Sequence, residues 1–255
     1  MNTALIKKEL REALWKLVLG LALMIVTAAS IPLMYEMIAD LLSQLKLEEM
    51  GFFSNFMSPG ILSDYSAYLW SQWNGKNLLN IGTVLAVILG MGTIAGEVSN
   101  QTISFLLTRP ISRRTVFISK VFSGAFILAV IVAVSTVVML VLAAVSSPEF
   151  LDVGRLLVAT CITFLGLLLI YIMTVFFSTI LSDPVKVAGV TILAIIVMYT
   201  LGWFAVTRKF ALFVQMAAGG YFLGGVFPTG AVIVMLLTVV LLSAVGITVF
   251  ERREY

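Results

Sequence analysis

Residues 121–148 read VFSGAFILAVIVAVSTVVMLVLAAVSSP and contain no charged side chain. The apolar core of a lipid bilayer is about 30 Å thick, and a helix of about 20 residues crosses it. This run is long enough to cross the membrane with an overhang. Further uncharged stretches of span length occur on both sides of it.

The composition of the whole chain also indicates a membrane protein. Of its 255 residues, 61% are hydrophobic and 11% are charged, and the mean hydropathy is +1.11. Soluble domains average roughly 45–50% apolar and 25% charged residues. In water, so few charges could not cover so much apolar surface. The composition therefore excludes a soluble enzyme, a disordered chain and a nucleic-acid-binding domain.

Six largely uncharged runs predict an all-α, polytopic fold in a single transmembrane domain, residues 1–255. The predicted spans are residues 17–38, 77–97, 117–145, 155–181, 187–207 and 231–250. Because neither repeats nor low-complexity tracts interrupt the chain, no second domain is expected.

The final uncharged stretch, residues 210–250, is too long for a single span. Its first half contains Gly219, Gly224 and Pro228, residue types that break helices. We therefore expect residues 210–229 to form a re-entrant segment that enters the membrane without crossing it.

Residues 3–16 have an amphipathic pattern, with Ile6, Leu10 and Leu14 on one helical face and the basic residues elsewhere. This pattern predicts an interfacial helix on the inner leaflet, in contact with lipid head groups. The alternative is a plain extension of the first span.

The long polar loop, residues 39–76, is rich in aromatic residues and mildly acidic. Aromatic side chains concentrate at membrane interfaces, so a belt resting on the outer surface is one interpretation. A lid that contacts substrate is the other.

The distribution of Lys and Arg predicts the orientation of the chain. With six spans both termini lie on the same side, and that side holds most of the basic residues. The opposite side has Lys46, Lys76, Arg155, Arg208 and Lys209. Since cytoplasmic loops carry the excess of basic residues, both termini are expected in the cytoplasm of a cell-membrane protein.

The residue inventory offers no catalytic or metal-binding set. The sequence has no histidine, and its one cysteine, Cys161, lies within an apolar run. The aspartates fall in the predicted loops, which disfavours an aspartate-based membrane protease or a proton-coupled carrier. A G-x-x-x-x-G-K-[ST] nucleotide-binding loop is also missing. We expect a non-enzymatic chain without catalytic residues, a metal or a cofactor of its own.

Small residues recur at every fourth position of the second span, at Gly82, Ala86 and Gly90. This spacing allows two helices to approach closely. The neighbouring helix could belong to the same chain or to another copy.

The predicted cytoplasmic loop, residues 97–116, has a distinctive pattern within GEVSNQTISFLLTRPISRRTVFISK, residues 96–120. Polar residues such as Thr102 can cap a short helix whose apolar face includes Ile103 and Leu107. Arg109-Pro110 would end that helix, because the residue before a proline avoids the α region. A short rigid helix on the cytoplasmic surface suits the docking of a partner, although a loop that only sets topology is equally compatible.

This loop resembles that of permease subunits of the type-two ABC exporter family. The resemblance rests on a glutamate at the end of span two, a threonine, a pair of leucines and a Pro-Ile-Ser-Arg sequence. Where the family has glycine before the threonine, this chain has Gln101. The resemblance assigns coupling to a partner ATPase to Glu97, Thr102, Phe105, Leu106, Leu107, Arg109, Pro110, Ile111, Ser112 and Arg113.

The resemblance implies a complex of two permease chains, identical or paralogous, with two ATPase subunits that bind ATP and Mg. The short loop helix would be the coupling helix. Glu97 is a candidate to pair with a basic residue at the cytoplasmic ends of the spans, such as Lys7 or Arg11, and ordinary solvation at the interface is the alternative. Spans one and five line the subunit interface in such proteins, and polar residues on them are candidates for the translocation path. These candidates are Thr27, Ser30, Thr191 and Tyr199.

The nearly uncharged spans favour export of a hydrophobic or amphipathic substrate. A scaffold or sensor that does not transport, but recruits a cytoplasmic partner through residues 97–116, is the alternative.

Overall fold

The computed structural model describes residues 3–44, 64–103, 111–146 and 151–253. In those ranges the regular structure is helical and contains no β-strand. The predicted all-α class is therefore confirmed.

The helices are numbered in chain order. Before residue 147 they are α1 (Thr3–Glu12), α2 (Leu14–Leu33), α3 (Tyr35–Gln44), α4 (Tyr65–Gln72), α5 (Leu78–Met91), α6 (Ala95–Ser99) and α7 (Arg113–Ser146). After residue 150 they are α8 (Val153–Ile180), α9 (Pro184–Thr200), α10 (Leu212–Met216), α11 (Gly219–Gly224) and α12 (Thr229–Arg252). A π-helical turn, Trp73–Asn77, joins α4 to α5, and a 3₁₀ turn, Arg208–Phe210, precedes α10.

Among the described helices, α2, α7, α8 and α12 are long and apolar enough to cross a membrane. Helix α9 is apolar but has only 17 residues. The backbone remains right-handed helical from α4 through the π turn into α5, so residues 65–91 form one continuous helical run. These helices make the chain a multi-pass membrane protein.

Helix α8 is the centre of the bundle. It packs against α5, α7, α9 and α12, and most of its apolar stretch is buried. Close approach to α5 depends on glycine: a Cβ atom at Gly82 would lie 2.6 Å from Leu167, and one at Gly90 would lie 2.8 Å from Thr174. The small residues of α5 thus face a helix of the same chain.

Buried polar side chains attach the π turn to its neighbours. The Asn74 amide donates to the hydroxyls of Thr160 and Thr163 on α8, at 3.2 Å each. Thr163 in turn donates to the Met216 carbonyl at the end of α10. Trp73 donates to Thr136 on α7 at 3.1 Å. These bonds join the π turn to α7 and α8, and α8 to α10, where water is scarce and hydrogen bonds between polar side chains help to hold helices together.

Two opposite ends of the bundle can be recognised from their hydrogen bonds. At one end, Arg113 at the start of α7 donates to the carbonyls of Glu251 and Arg253, so the C-terminal segment lies there. At the other end, the Tyr65 hydroxyl donates to the Ala143 carbonyl near the end of α7. Because α1 also packs on the first turns of α7, both chain ends lie at the same end of the bundle.

The predicted re-entrant segment contains a pair of short helices, α10 and α11. Ala218 between them has a φ of 57°, in the left-handed region, so the chain changes direction between the two short helices, which we call the helical hairpin. Trp70 secures this helical hairpin by donating to the Ala217 carbonyl at 2.9 Å and stacking on Phe222.

Some helix boundaries differ from those expected. The amphipathic helix ends at Glu12, and the first long helix runs from Leu14 to Leu33 before the backbone turns at Met34. Helix α9 ends at Thr200 and not at residue 207, because the backbone changes to i,i+3 hydrogen bonds such as that from Gly202 to Tyr199.

Substitution of Gly124 tests the packing between α7 and α8. A Cβ atom there would lie 2.8 Å from Cζ of the fully buried Tyr171. We expect Gly124→Ala to lower the free energy of unfolding by about 1–3 kcal/mol. Gly189→Ala is the matched control, since nothing lies within 4 Å of its Cβ position. The control should be neutral or stabilising, and equal unfolding midpoints in detergent for both variants would contradict the packing argument.

Candidate functional site

A buried ion-pair cluster lies at the end of the bundle that carries the N-terminal helix α1. The ammonium group of Lys120, one of the first residues of α7, is 2.8 Å from Glu9 on α1 and 2.7 Å from Glu97 on α6. Only 3% of the Lys120 side chain is exposed. We call these three residues the Lys120 cluster. It joins the N-terminal amphipathic helix, the short helix after α5 and the long helix α7.

The cluster keeps Glu97 ionised. Burial alone raises the pKa of the Glu97 carboxyl, but the charge and hydrogen bond of Lys120 oppose it, as does the Thr102 hydroxyl. The net effect is a pKa below its ordinary range. Two carboxylates face one ammonium group, so neither Lys120 nor Glu97 is left as an unpaired charge.

The end of α6 has the hydrogen bonds of a Schellman motif. Thr102 N–H donates to the Glu97 carbonyl at 2.9 Å, and Gln101 between them has a φ of 57°. Glycine is the residue that adopts this left-handed conformation without strain. The position at which the chain departs from the exporter pattern is therefore one where the backbone favours glycine.

An open cavity of about 400 Å³ lies beside the Lys120 cluster. Polar side chains of α1, α2 and the α5–α6 region line it, including Glu12, Asn100 and Lys16. Lys16 donates to the Ile88 carbonyl at 3.3 Å, which fixes α2 against α5. Carboxylate oxygens of Glu9, Glu12 and Glu97 approach within 4.8 Å of one another. The ammonium group of Lys120 contacts two of these three carboxylates and offsets part of their negative charge.

The structure places Glu97 and Thr102 of the predicted coupling residues together, in direct contact. On the far side of the loop, the Ser112 hydroxyl lies 2.8 Å from that of Thr115, and Arg113 contacts the C-terminal carbonyls. Ile111 packs against the core. The remaining predicted coupling residues fall outside the described residues: Phe105, Leu106, Leu107, Arg109 and Pro110.

Glu97 does pair with a basic residue, but the two residues suggested as examples, Lys7 and Arg11, are not its partners. Among the described residues its ion pair is with Lys120, and neither Lys7 nor Arg11 forms it. Helical geometry explains the difference, since Lys120 extends from the packed face of α7 whereas Arg11 is exposed on α1. Sequence reasoning also missed Glu9. The available signal was Lys120 itself, a charge inside a predicted span, which must find partners.

A second set of contacts ties the C-terminus to this end. Arg253 donates to the Thr179 carbonyl at 2.6 Å and to the Ser182 hydroxyl at 2.7 Å, next to the end of α8. Arg113 donates to the carbonyl of Arg253 at 2.7 Å. The start of α7, the end of α8 and the C-terminal segment therefore meet through two arginines.

The four residues suggested for a translocation path are not gathered in one place. Thr27 and Ser30 lie on α2, which packs mainly on α7, and their hydroxyls bond to their own helix. Thr191 is fully buried on α9, whereas Tyr199 on the same helix is 47% exposed and contacts Phe213. Helix α9 packs on α5 and α8.

Comparison with known families identifies the chain. A family model described as ABC-2 family transporter protein matches residues 3–223, which include the Lys120 cluster and all but the last residue of the helical hairpin. The chain belongs to this family of membrane transport proteins, as its loop pattern predicted, and it is a permease-type component that is not itself catalytic. A search of curated proteins finds no significant match.

Removing the central charge should destabilise the protein. Lys120→Met leaves Glu9 and Glu97 facing each other without a cation, and we expect a loss of about 3 kcal/mol in the free energy of unfolding. The triple variant Lys120→Met, Glu9→Gln, Glu97→Gln removes the repulsion and should recover most of that loss. Denaturant unfolding in detergent measures both. An unchanged midpoint for the single variant would refute a structural role for the cluster.

Restoring glycine at the left-handed position should stabilise the protein. We expect Gln101→Gly to raise the free energy of unfolding by about 1 kcal/mol, because it relieves the unfavourable φ. Asn100→Gly is the control: its φ is −85°, so glycine there should give no gain. A gain of equal size in both variants would show that the left-handed backbone is not the cause.

Proposed function

We propose that the chain is the six-span permease subunit of an ATP-driven ABC exporter. The predicted passages correspond to α2, residues 65–91, α7, α8, α9 and α12. Hydrogen bonds at the two ends of the bundle support alternating directions for successive passages. The excess of Lys and Arg at the end with both termini supports placing that end in the cytoplasm.

The observation that carries the proposal is the Lys120 cluster at the base of the predicted coupling loop. Residues 104–110 lie between Ile103, which is 5% exposed, and Ile111, which packs on the core. Both flanks of the loop are thus anchored in the body of the protein. A partner that displaces this loop would move α6 and α7, and through Lys120 also α1.

ATP and Mg would bind to a separate ATPase subunit, because this sequence has no nucleotide-binding loop. The coupling helix would occupy a groove on that subunit. Closure of the ATPase subunits would push on the loop and tilt the helices between inward- and outward-facing states. The two ends of the loop would be held against the helical bundle by the contacts of Glu97, Thr102 and Arg113.

The cargo we propose is a hydrophobic or amphipathic molecule. Large apolar side chains are exposed along α2, α9 and α12, where they can contact lipid or another permease chain. A second permease chain, identical or paralogous, would pack near α2 and α9. Thr27, Ser30 and Tyr199 are then candidates for the path between the chains, with Thr191 becoming accessible when α9 moves. The α10–α11 hairpin would enter the outer leaflet without crossing it.

Purification of the tagged chain from its native membranes in a mild detergent tests the function. We expect an ATPase subunit to co-purify in stoichiometric amount, with ATP hydrolysis that depends on Mg. The double variant Leu106→Asp, Leu107→Asp should lose most of this ATPase activity, because two buried charges would disrupt an apolar docking face. Its insertion into the membrane should not change.

Two outcomes would contradict the proposal. Absence of an ATPase beside a folded, inserted chain would favour the scaffold or sensor. Wild-type ATPase retention and stimulation in the double variant would show that residues 106–107 do not couple the subunits. Arg155→Asp is a suitable control, since Arg155 is exposed at the start of α8, at the opposite end of the bundle from the loop.

A further inference from the structure

A second cavity lies at the opposite end of the bundle from the Lys120 cluster. Its volume is about 610 Å³, and α8, α9, α10 and α12 contribute to its walls. The lining is mainly apolar and includes Leu169, Met198 and Met235. This volume falls in the range of about 300–1,000 Å³ that is typical of small-molecule sites.

Helix α12 forms one wall of the cavity. The lining residues on that helix run from Gly230 in its first turn to Thr238, a distance of about 12 Å at 1.5 Å per residue. Val234 between them is 62% exposed, so this side of the cavity opens toward the lipid-facing surface of the bundle. An apolar channel of this shape and position suits an acyl chain.

Positive charge is concentrated at the mouth of the cavity. Lys209 lines it, with its ammonium group 5.0 Å from the centre of the Phe210 ring. In the part of the chain that the structure describes, none of the ion pairs involves Lys209. Helix α12 begins at the same mouth, and no side chain caps its first turn. The partial positive charge of that helix end adds to that of Lys209.

The distribution of charged residues also argues against a symmetric dimer in which the same surface of a second copy covers the cavity. Residues 184–250 contain Lys186, Arg208 and Lys209 and no acidic side chain. A symmetric contact would bring identical faces together. Lys209 would then meet cations and find no carboxylate from those residues.

We propose that this cavity is a binding site for an anionic phospholipid of the membrane. One acyl chain lies in the apolar channel along α12, and the phosphate contacts Lys209 at the mouth. The inference concerns a resident lipid, and it does not depend on which cargo is exported or on the identity of the ATPase.

The charge component can be tested by native mass spectrometry of the full chain in a mild detergent. Equal amounts of phosphatidylglycerol and phosphatidylcholine with identical acyl chains are added, and wild type should retain the former preferentially. Lys209→Gln should reduce bound phosphatidylglycerol about fivefold. Arg208→Gln is the matched control, because Arg208 lines a different cavity, beside Trp70. Equal losses in both variants, or no preference in wild type, would overturn the proposal.

The contribution of the apolar channel to lipid binding is tested with a separate variant. Nothing lies within 4 Å of a Cβ atom at Gly230, so Gly230→Leu can fill the channel without a clash in the bundle. We expect it to reduce retention of both lipids, whereas Gly189→Leu, at an equally open position on α9, should not. A Gly230→Leu variant with unchanged lipid retention but an altered fraction of dimer would show that a second copy covers the cavity, and would overturn the proposal.

Discussion

The ammonium group of Lys120 is buried between two carboxylates, and the arrangement of one whole end of the protein follows from its need for partners. A buried charge without hydrogen-bonded counter-charges would be prohibitively costly. Glu9 can reach it only if α1 lies against α7, and Glu97 only if α6 lies beside the start of α7. One side chain thereby fixes the position of the N-terminal helix and of the segment that leads into the predicted coupling loop.

The same end gathers further contacts that involve chain ends. Arg113 and Arg253 connect the start of α7 and the end of α8 to the C-terminal segment through backbone carbonyls. Three helix termini and both ends of the described chain are consequently held by charged side chains. A force applied to residues 104–110 would act on helices that these contacts hold together. The transfer of a conformational change requires such a connection.

At the opposite end of the bundle, the helices are held together by different kinds of contact. The buried contacts there are aromatic rings and neutral hydrogen bonds, as in the bond from Trp70 to Ala217 and its stacking on Phe222. An ion pair at this end, between Arg155 and Asp152, is exposed. Deeper in the bundle, Asn74 pairs with two threonines of α8. The hairpin is thus attached through groups that remain stable where water is scarce, and its basic flank, Arg208 and Lys209, stays exposed beside two cavities.

The sequence by itself determined the helical membrane class, because long uncharged runs leave no other way to satisfy backbone hydrogen bonds in lipid. It also determined the family, through the residues around Glu97 and Pro110, and the glycine spacing of α5 that permits close packing.

Helix ends were less predictable, since the end of α9 at Thr200 depends on local hydrogen bonds that apolar periodicity does not encode. The tertiary structure alone decided that Lys120 pairs with both Glu97 and Glu9, which are distant from it along the chain. It also decided that Lys209 borders an apolar cavity. Ion pairs and cavities between helices depend on how each helix is rotated and displaced against its neighbours. The relative positions of the helices arise only when the bundle packs, so the sequence of a single segment does not determine them.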